Sequence, residues 1–410
     1  MAATIKYGDT KWAVKDGNTL GYNDENRFKP VPFDFTRNSI GTRVDRNGLI
    51  ETIGNNIPRI DFTDNTDGHL LLEPQSTNLV TYSEDFSDSS WTKSNTTILS
   101  NQVTSPNGNA NADKIYPNSS GNYRHIKDGS LNPASGLHTF SIFAKADELD
   151  HIVLIDYYGS GVGIDFDLTN GVATDNSTSD FDSFDMIHYG NGWYRCIATA
   201  TNMYFYWILS DDGDVSVTAN GTDGMYIWGA QAEALSHPTS YIPTNGSTVT
   251  RASETCTNAG NSTLINSTEG VLYAEIAALE TTSSGSNYIT ITDGTYNNRA
   301  SILFSGGATN QIRVFLRVGG AAQIDTNEIV TNVKSFNKVA FKYKENDFAV
   351  WINGVEVATD TSGSVWASGT INELTFSEIG TAAGAFRGKC KALTVFNTAL
   401  TDAELTELTS

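Results

Sequence analysis

Short runs in which apolar and polar side chains alternate, each followed by a polar turn, recur along most of this chain. Residues 137–146, LHTFSIFAKA, and 203–212, MYFYWILSDD, are clear examples. Because successive side chains of a strand point to opposite faces, each run predicts a half-buried strand. Asn353-Gly354 favours a tight hairpin turn, and the one helix we expect is TDAELTEL (401–408), which carries a capping box. The sequence predicts an all-β chain of antiparallel sandwiches.

The 410 residues are too many for one ordinary hydrophobic core, so we expect several regions. Residues 1–75 are thin in apolar side chains, and we expect an extended β segment that serves attachment or oligomerisation. Residues 76–250 carry the clearest strand patterns and are typical of a jelly roll. Residues 251–410 form the third region, of which we expect residues 255–410 to fold alone.

Acidic residues dominate the charge, since 47 Asp and Glu against 26 Lys and Arg give a net charge of −21. We find no basic cluster, which argues against binding nucleic acid or an anionic membrane. We also find no apolar run of about 18 residues, so we expect no membrane insertion. The first residues, MAATIKYGDTKWAVKDG, lack the apolar segment of a signal peptide, so we expect folding in a cytoplasm.

Sequence patterns typical of catalysis are missing. The six histidines are scattered, the cysteines (Cys196, Cys256 and Cys390) lack metal-ligand spacing, and Cys196 lies in an apolar strand pattern that predicts burial. A glycosidase needs two carboxylates about 5–10 Å apart, and 47 acidic residues always offer some pair. We see no repetitive β-helix region, so we expect no enzyme and keep a polysaccharide depolymerase as the least favoured alternative.

Several strings of the chain resemble known modules. The segment LLLEPQSTNLVTYSEDFSDSSWTK (70–93), with GTRVDRNGLIE and PRIDF before it, resembles a module of predicted bacteriophage virion proteins, especially tail fibres and other surface fibres. GNGWYRC (190–196) and MYIWGAQAE (225–233) resemble jelly-roll carbohydrate-binding modules. VWINGVEV, FRGKCKALTVFNTAL and TDAELTEL in the third region resemble laminin-G and concanavalin A-like sandwiches.

These resemblances imply a structural protein of the bacteriophage virion surface, made in the host cytoplasm. It would be a tail or head fibre or adhesin, most simply a homotrimer held to other virion proteins, that acts in receptor binding by recognising host or environmental glycans such as cell-surface polysaccharide. The alternative is a purely structural head-fibre, decoration or tail accessory protein that binds other virion proteins and no glycan. The implied fold is an extended N-terminal β segment followed by a jelly roll and a concanavalin A-like domain.

Aromatic strand residues are the best candidates for glycan contacts, because sugar faces stack on aromatic rings. Alternation places Tyr204 and Tyr206 on one face and Phe205 and Trp207 on the other, and the hydroxyl-bearing pair suits an open face. The alternative left open is that all of them belong to the core or to a subunit interface. The glycan-binding candidates are Tyr204, Tyr206, Tyr158, Asp156 and Trp351, whereas Trp193 and Trp228 are expected in the core.

Calcium is a candidate ligand, because Asp211, Asp212 and Asp214 follow a strand and calcium prefers oxygen ligands. The spacing is not that of an EF-hand, and plain solvation of an acidic surface is the competing interpretation. We expect no other cofactor.

Overall fold

A computed structural model describes the chain except residues 1–2, 16–17, 20, 22–31, 64–65, 130, 132–133, 157, 159–161, 178–179 and 282–284. Within the described residues the chain forms 35 β-strands and a single α-helix, which confirms the predicted all-β class. No helix in this part of the chain is long and apolar enough to cross a membrane.

The strands of the first half of the chain are β1 (Ala3–Gly8), β2 (Val14–Lys15), β3 (Asn18–Thr19), β4 (Asp34–Thr36), β5 (Gly41–Val44), β6 (Ile50–Ile53), β7 (Arg59–Asp61), β8 (His69–Leu72), β9 (Ser76–Asn78), β10 (Trp91–Ser94), β11 (Thr96–Val103), β12 (Ala112–Pro117), β13 (Gly121–Asn122), β14 (His125–Asp128), β15 (Ala134–Ala146), β16 (His151–Asp156), β17 (Gly163–Asp167), β18 (Val172–Asp175), β19 (Ser183–His188) and β20 (Trp193–Met203). The second half contains β21 (Phe205–Ser210), β22 (Ser216–Val217), β23 (Met225–Glu233), β24 (Val249–Arg251), β25 (Thr255–Thr257), β26 (Glu269–Ala278), β27 (Asn287–Thr292), β28 (Arg299–Phe304), β29 (Gln311–Val318), β30 (Ala321–Ile329), β31 (Asn337–Lys344), β32 (Phe348–Ile352), β33 (Val355–Asp360), β34 (Glu373–Thr375), β35 (Gly388–Phe396) and the helix α1 (Asp402–Thr409).

The chain folds into two compact units. Unit 1 comprises Met1–Ile40, Ile53–Pro74 and Ala252–Ser410, and unit 2 comprises Gly41–Thr52 and Gln75–Arg251. The later boundaries lie close to the predicted ones at 75/76 and 250/251. The first 75 residues differ from the sequence-based division, because they are shared between the two units. Their predicted role in attachment or oligomerisation stays a prediction.

Unit 1 is a sandwich of two antiparallel sheets. The larger sheet has the order β33-β32-β31-β26-β35-β8-β7, with β1 also paired to β35, and the smaller has the order β30-β29-β28-β27-β34. Apolar side chains from the two facing surfaces, such as Leu272, Phe341, Ile302 and Val314, form one buried core. Burial of this alternating apolar set is what selects the register of each strand.

Strand β35 explains why N-terminal residues belong to unit 1. One side of β35 pairs with β26, while the other side pairs with β8 through Gly388–Cys390 and with β1 through Ala392–Phe396. Leu70 and Leu72 of β8 and Tyr7 of β1 lie in the unit 1 core. The N-terminal residues therefore supply strands and core side chains to the C-terminal sandwich.

A buried charge network joins the early and late parts of unit 1. The Glu254 carboxylate accepts hydrogen bonds from Arg37 Nη1 at 2.8 Å and from Arg59 Nε and Nη2 at 2.9 and 2.6 Å. Glu73 pairs with the Arg59 guanidinium at 2.8 Å. Burial alone would lower the pKa of Arg59, but Glu254 and Glu73 raise it above the usual arginine value. We name these four residues the buried charge network.

The predicted helix is confirmed. The Thr401 side chain accepts a hydrogen bond from Glu404 N, and the Glu404 carboxylate accepts one from Thr401 N at 2.9 Å, which completes the capping box. The helix lies on the outer surface of the larger sheet beside β31, β32 and β33. Leu405 is its buried apolar contact.

Unit 2 is a jelly-roll-like sandwich of two six-stranded antiparallel sheets. Their orders are β10-β14-β21-β16-β17-β18 and β11-β12-β23-β15-β20-β19. Phe205 and Trp207 point into the core between the sheets, and Cys196 is fully buried there, all as predicted. The register therefore leaves Tyr204 and Tyr206 on the outer surface of the first of these sheets.

The outer surface of the second sheet is covered by a hairpin. Strands β5 and β6 pair with each other, and their side chains Val44 and Ile50 belong to one buried cluster with Trp193 and Trp228. Burial of both tryptophans is confirmed, although they pack outside the sandwich core. Residues 41–52 are thus a structural part of unit 2.

Candidate glycan-binding site

Tyr206 is buried on the outer surface of its sheet, with 7% of the residue exposed. Its ring lies edge-on to the His125 ring at 4.4 Å, and Lys127 Nζ donates to its hydroxyl at 3.0 Å. Tyr123 and Val215 pack against the same cluster. The prediction that Tyr206 lines an open face is therefore wrong, because residues distant in sequence cover this part of the sheet.

Tyr204, Tyr158 and Asp156 lie together, as the sequence predicts. The rings of Tyr158 and Tyr204 are edge-on with centroids 4.6 Å apart, and Tyr158 is 71% exposed. Asp156 Oδ1 accepts hydrogen bonds from the backbone nitrogens of Tyr158 at 3.2 Å and Tyr204 at 3.1 Å. One carboxylate oxygen thus fixes both tyrosines. We name these three residues the tyrosine ledge.

The tyrosine ledge offers the chemistry that a sugar needs. The exposed Tyr158 ring presents a flat apolar surface to sugar C–H groups, and both tyrosine hydroxyls are donors and acceptors. Among the described residues no donor reaches Asp156 Oδ2, which leaves this oxygen for a sugar hydroxyl. The ledge needs little reordering on binding, because its backbone is already held.

Trp351 lies on the outer surface of the larger sheet of unit 1, but the helix α1 covers it. Only 8% of the residue is exposed, and it shares a buried cluster with Leu400 and Leu405. The prediction that Trp351 is a glycan contact fails for this reason. The sequence left Trp351 open between outer face and core, because alternation does not show whether the chain returns over that face.

Asp211, Asp212 and Asp214 do not form a calcium-binding group. Among the described residues, no three His, Cys, Asp or Glu side chains are placed to hold a metal ion together. The carboxylates instead cap their own turn: Asp211 Oδ2 accepts from Thr218 N at 2.7 Å, and Asp214 Oδ1 accepts from Ser216 N and Oγ. These local bonds explain an acidic turn without a cation.

An acidic cleft of about 620 Å³ in unit 2 was not predicted from the sequence. Glu84 accepts hydrogen bonds from Tyr241 Oη at 3.0 Å and Asn111 Nδ2 at 2.8 Å, while Asp113 accepts from two backbone nitrogens. Burial raises the pKa of Glu84, and burial raises that of Asp113 to about 6. The remaining lining residues are Tyr82, Asp85, Ser87, Ser100, Asn101, Pro243, Thr244 and Asn245.

One family model matches the C-terminal part of the chain. Residues 258–406 match the concanavalin A-like lectin/glucanases superfamily, Laminin_G_3. This segment therefore has the concanavalin A-like fold expected for the third region, with N-terminal strands added to it. No curated protein sequence matches the chain.

Three solved structures illustrate what the chain is similar to. The CBM40 of a Ruminococcus gnavus IT-sialidase shares 17% identity over 38% of this chain and 94% of its own, with a TM-score of 0.30. Domain 4 of a GH43 extracellular arabinanase from Geobacillus stearothermophilus, in complex with arabinotriose, shares 15% over 38% and 73%, with a TM-score of 0.32. A heptameric SAP-like pentraxin from Limulus polyphemus shares 16% over 36% and 71%, with a TM-score of 0.29. At these TM-scores the three structures give no guide to the ligand of this chain.

Proposed function

We propose that this chain is a non-catalytic glycan-binding protein of a bacteriophage particle surface, a tail or head fibre or adhesin. The tyrosine ledge is the observation that carries glycan binding, because it combines an exposed ring, a second ring and an available carboxylate oxygen. The resemblance of residues 70–93 to phage virion modules supports the virion location.

In this proposal a sugar ring stacks on Tyr158 while its hydroxyls bond to Asp156 Oδ2 and to the Tyr204 hydroxyl. One such contact is weak, since a single ring and two or three hydrogen bonds compete with water. We propose that the chain forms a homotrimer attached to other virion proteins. Several trimers on one particle then raise the effective affinity by multivalency.

A glycan array probed with the purified full chain tests the binding proposal. Replacing Tyr158 and Tyr204 together by alanine should abolish binding. Tyr158 is largely exposed and should contribute little to stability, whereas Tyr204 is half-buried against the cluster that contains Tyr206, so we expect a small fall in melting temperature from its loss. Tyr116→Ala, at a half-buried tyrosine of the same unit, is the matched control and should bind as the wild type does. Unchanged binding by the double variant with the fold intact would remove the ledge as the site.

The virion location is tested separately by immunogold electron microscopy of purified phage particles with antibodies to this chain. Labelling of a tail or head fibre is the expected result. Labelled particles whose protein binds no glycan on the array would instead favour the purely structural role. Absence of label from all particles would contradict the virion proposal.

The acidic cleft is the place to test the proposal that the chain is non-catalytic. A glycosidase requires a carboxyl group with a raised pKa, and the cleft holds Glu84 and Asp113, both with raised pKa values. Both carboxylates are already engaged by internal hydrogen bonds, so we assign them to the wall of the cleft. Release of reducing ends from a host polysaccharide that Glu84→Gln abolishes would overturn this assignment.

A further inference from the structure

Three guanidinium groups surround one phenylalanine ring on the outer surface of the smaller sheet of unit 1. The guanidinium carbons of Arg299 and Arg313 lie 5.1 Å from the Phe315 centroid, and that of Arg317 lies 5.7 Å from it. These residues alternate with the core-facing side chains of β28 and β29, which explains their common surface. We name Arg299, Arg313, Arg317 and Phe315 the arginine patch.

The register of the sheet places two of these cations directly opposite each other. Arg299 pairs with Arg317 across β28 and β29, an arrangement of like charges that destabilises a sheet unless it is neutralised. Burial lowers the pKa of Arg299, and Arg317 lowers it further, although Glu378 opposes both effects. Positive charge is thus concentrated at the arginine patch, although the whole chain has a net charge of −21.

The carboxylates around the arginine patch do not neutralise it. Glu378 pairs with Arg299 at 3.0 Å, and Asp325 pairs with Arg313 through two bonds of 2.7 and 2.6 Å. Among the described residues Arg317 has no carboxylate partner, and its Nη1 donates only to the Gly320 carbonyl at 3.1 Å. Three cations against two carboxylates leave one positive charge on Arg317.

The donors of the arginine patch are also incompletely used. Arg299 Nε and Arg317 Nε are both buried and lack a hydrogen-bond partner within the described residues, an arrangement that costs free energy. Arg317 itself is half-buried. Its Nη2 is accessible to solvent and has no hydrogen-bond acceptor among the described residues. Tyr296, a residue that is 51% exposed, extends the patch on the Arg299 side, where its ring centroid lies 5.1 Å from the Arg299 guanidinium.

We propose that the arginine patch binds an acidic sugar through a carboxylate or sulfate group held by Arg317. An anion on Arg317 would supply the missing negative charge and accept a charge-assisted hydrogen bond from its Nη2. The attached sugar ring would lie on the exposed face of Tyr296. This site is in unit 1, so it goes beyond the binding proposed for the tyrosine ledge of unit 2 and does not depend on it.

The proposal is tested by isothermal titration of the full chain with an oligogalacturonate, with its methyl ester, and with a sulfated galactose oligosaccharide. The methyl ester has the same sugar ring without the charge and should not bind at the patch. Binding of the first ligand alone identifies a carboxylate site, and binding of the sulfated ligand alone identifies a sulfate site. In either case the affinity should fall as salt is added, because screening reduces the attraction between the charges.

Variants at one position separate this site from general electrostatics. Arg317→Gln should weaken binding about tenfold or more, the loss expected for a charge-assisted hydrogen bond. Arg317→Lys keeps the charge without the planar fork and should retain part of the affinity. Arg43→Gln removes the same charge at a half-buried pair with Glu51 in unit 2 and should bind as the wild type does. Melting curves of all three variants report on the fold.

Three results would overturn the proposal. These are no binding of either acidic ligand, equal binding of the methyl ester, or equal affinity of a folded Arg317→Gln variant. If Arg317→Gln fails to fold, Tyr296→Ala takes its place and should weaken binding, since it removes a half-exposed ring whose described ring contact is with Arg299. If the tyrosine-ledge variants bind the glycan array as the wild type does, the expected outcomes at the arginine patch do not change. The two proposals are therefore judged separately.

Discussion

Replacing Glu254 by alanine should lower the free energy of unfolding of unit 1 by about 3–5 kcal/mol. Glu254 is the carboxylate that two buried guanidinium groups share, and the side chains of Arg37, Arg59 and Glu254 are all fully buried. The replacement removes the acceptor of three guanidinium bonds and of the bond from Glu73 N at 2.9 Å. Positive charge is then left buried without its partner.

This magnitude is large because domains of this size are held by only about 5–15 kcal/mol. Arg37 keeps bonds to the backbone carbonyls of Gly54 at 2.7 Å and Ile57 at 3.1 Å, and Arg59 keeps Glu73. The loss is therefore less than two fully isolated charges would cost. Glu254→Gln retains one carbonyl oxygen and the shape of the side chain, so its effect should be smaller than that of alanine.

Urea unfolding followed by circular dichroism measures the loss, and hydrogen–deuterium exchange of β26 assigns it to unit 1. Glu51→Ala is the matched control, since it breaks the solvent-accessible, half-buried Arg43–Glu51 pair and should cost about 1 kcal/mol. A Glu254→Ala protein within about 1 kcal/mol of the wild type would refute the reasoning. That result would mean that water or backbone carbonyls solvate both guanidinium groups.

Three further outcomes follow from the fold. The sequence predicted that residues 255–410 fold alone, but β35 pairs with β1 and β8 of the N-terminal part. We therefore now expect a fragment of residues 252–410 to lack a cooperative melting transition by circular dichroism, and a sharp transition would contradict this. Trp351→Ala should destabilise unit 1 by about 3–5 kcal/mol in urea titrations, as expected for a buried aromatic side chain, while array binding at the tyrosine ledge stays unchanged. Burial raises the pKa of Asp113 from 3.8 to about 6, so the folded state holds that proton more tightly than the unfolded state. The contribution of Asp113 to stability is therefore greatest below pH 3.8 and is lost as the pH rises to about 6. The difference in melting temperature between the wild type and Asp113→Asn should change across this pH window and stay constant above it.

Features encoded within a few neighbouring residues were predictable from the sequence. The Asn353-Gly354 turn has φ values of 50° and 83°, as a type I′ hairpin requires. Thr401 and Glu404 form their capping box, and alternation correctly turned Phe205 inward. In each case the decisive interaction joins residues at most three positions apart or follows from the two-residue period of a strand.

Coverage of a sheet's outer surface was not predictable, because it depends on segments far apart in the chain. Tyr206 and Trp351 both lie on outer surfaces, yet one is covered around Val215 and the other by α1. The acidic cleft was missed for the same reason, since Glu84 meets Asn111, 27 residues further along the chain, and Tyr241, 157 residues further along, only in the folded protein. Alternation reports a face of the strand but not what lies against it.

Residues 70–93, which carry the resemblance to phage virion modules, also make structural contacts that the resemblance did not predict. Glu73 belongs to the buried charge network, and Asn78 Nδ2 donates to the carbonyls of Ala230 and Ile242 at 3.1 and 2.8 Å. Trp91 Nε1 donates to the Tyr82 carbonyl at 2.8 Å. Its length as a recognisable pattern reflects many separate packing and hydrogen-bonding requirements.

The order of the units along the chain has a consequence for how such a protein diversifies. The chain leaves unit 1 after residue 74 and returns at residue 252, and the flanking strands β9 and β24 pair with each other. Because the two ends of unit 2 meet, this unit can be exchanged between related chains while the sandwich of unit 1 is kept. The hairpin 41–52 limits this freedom, because Val44 and Ile50 pack on Trp193 and Trp228 of the inserted module. A viable recombinant must therefore inherit two separate stretches of sequence from the same parent.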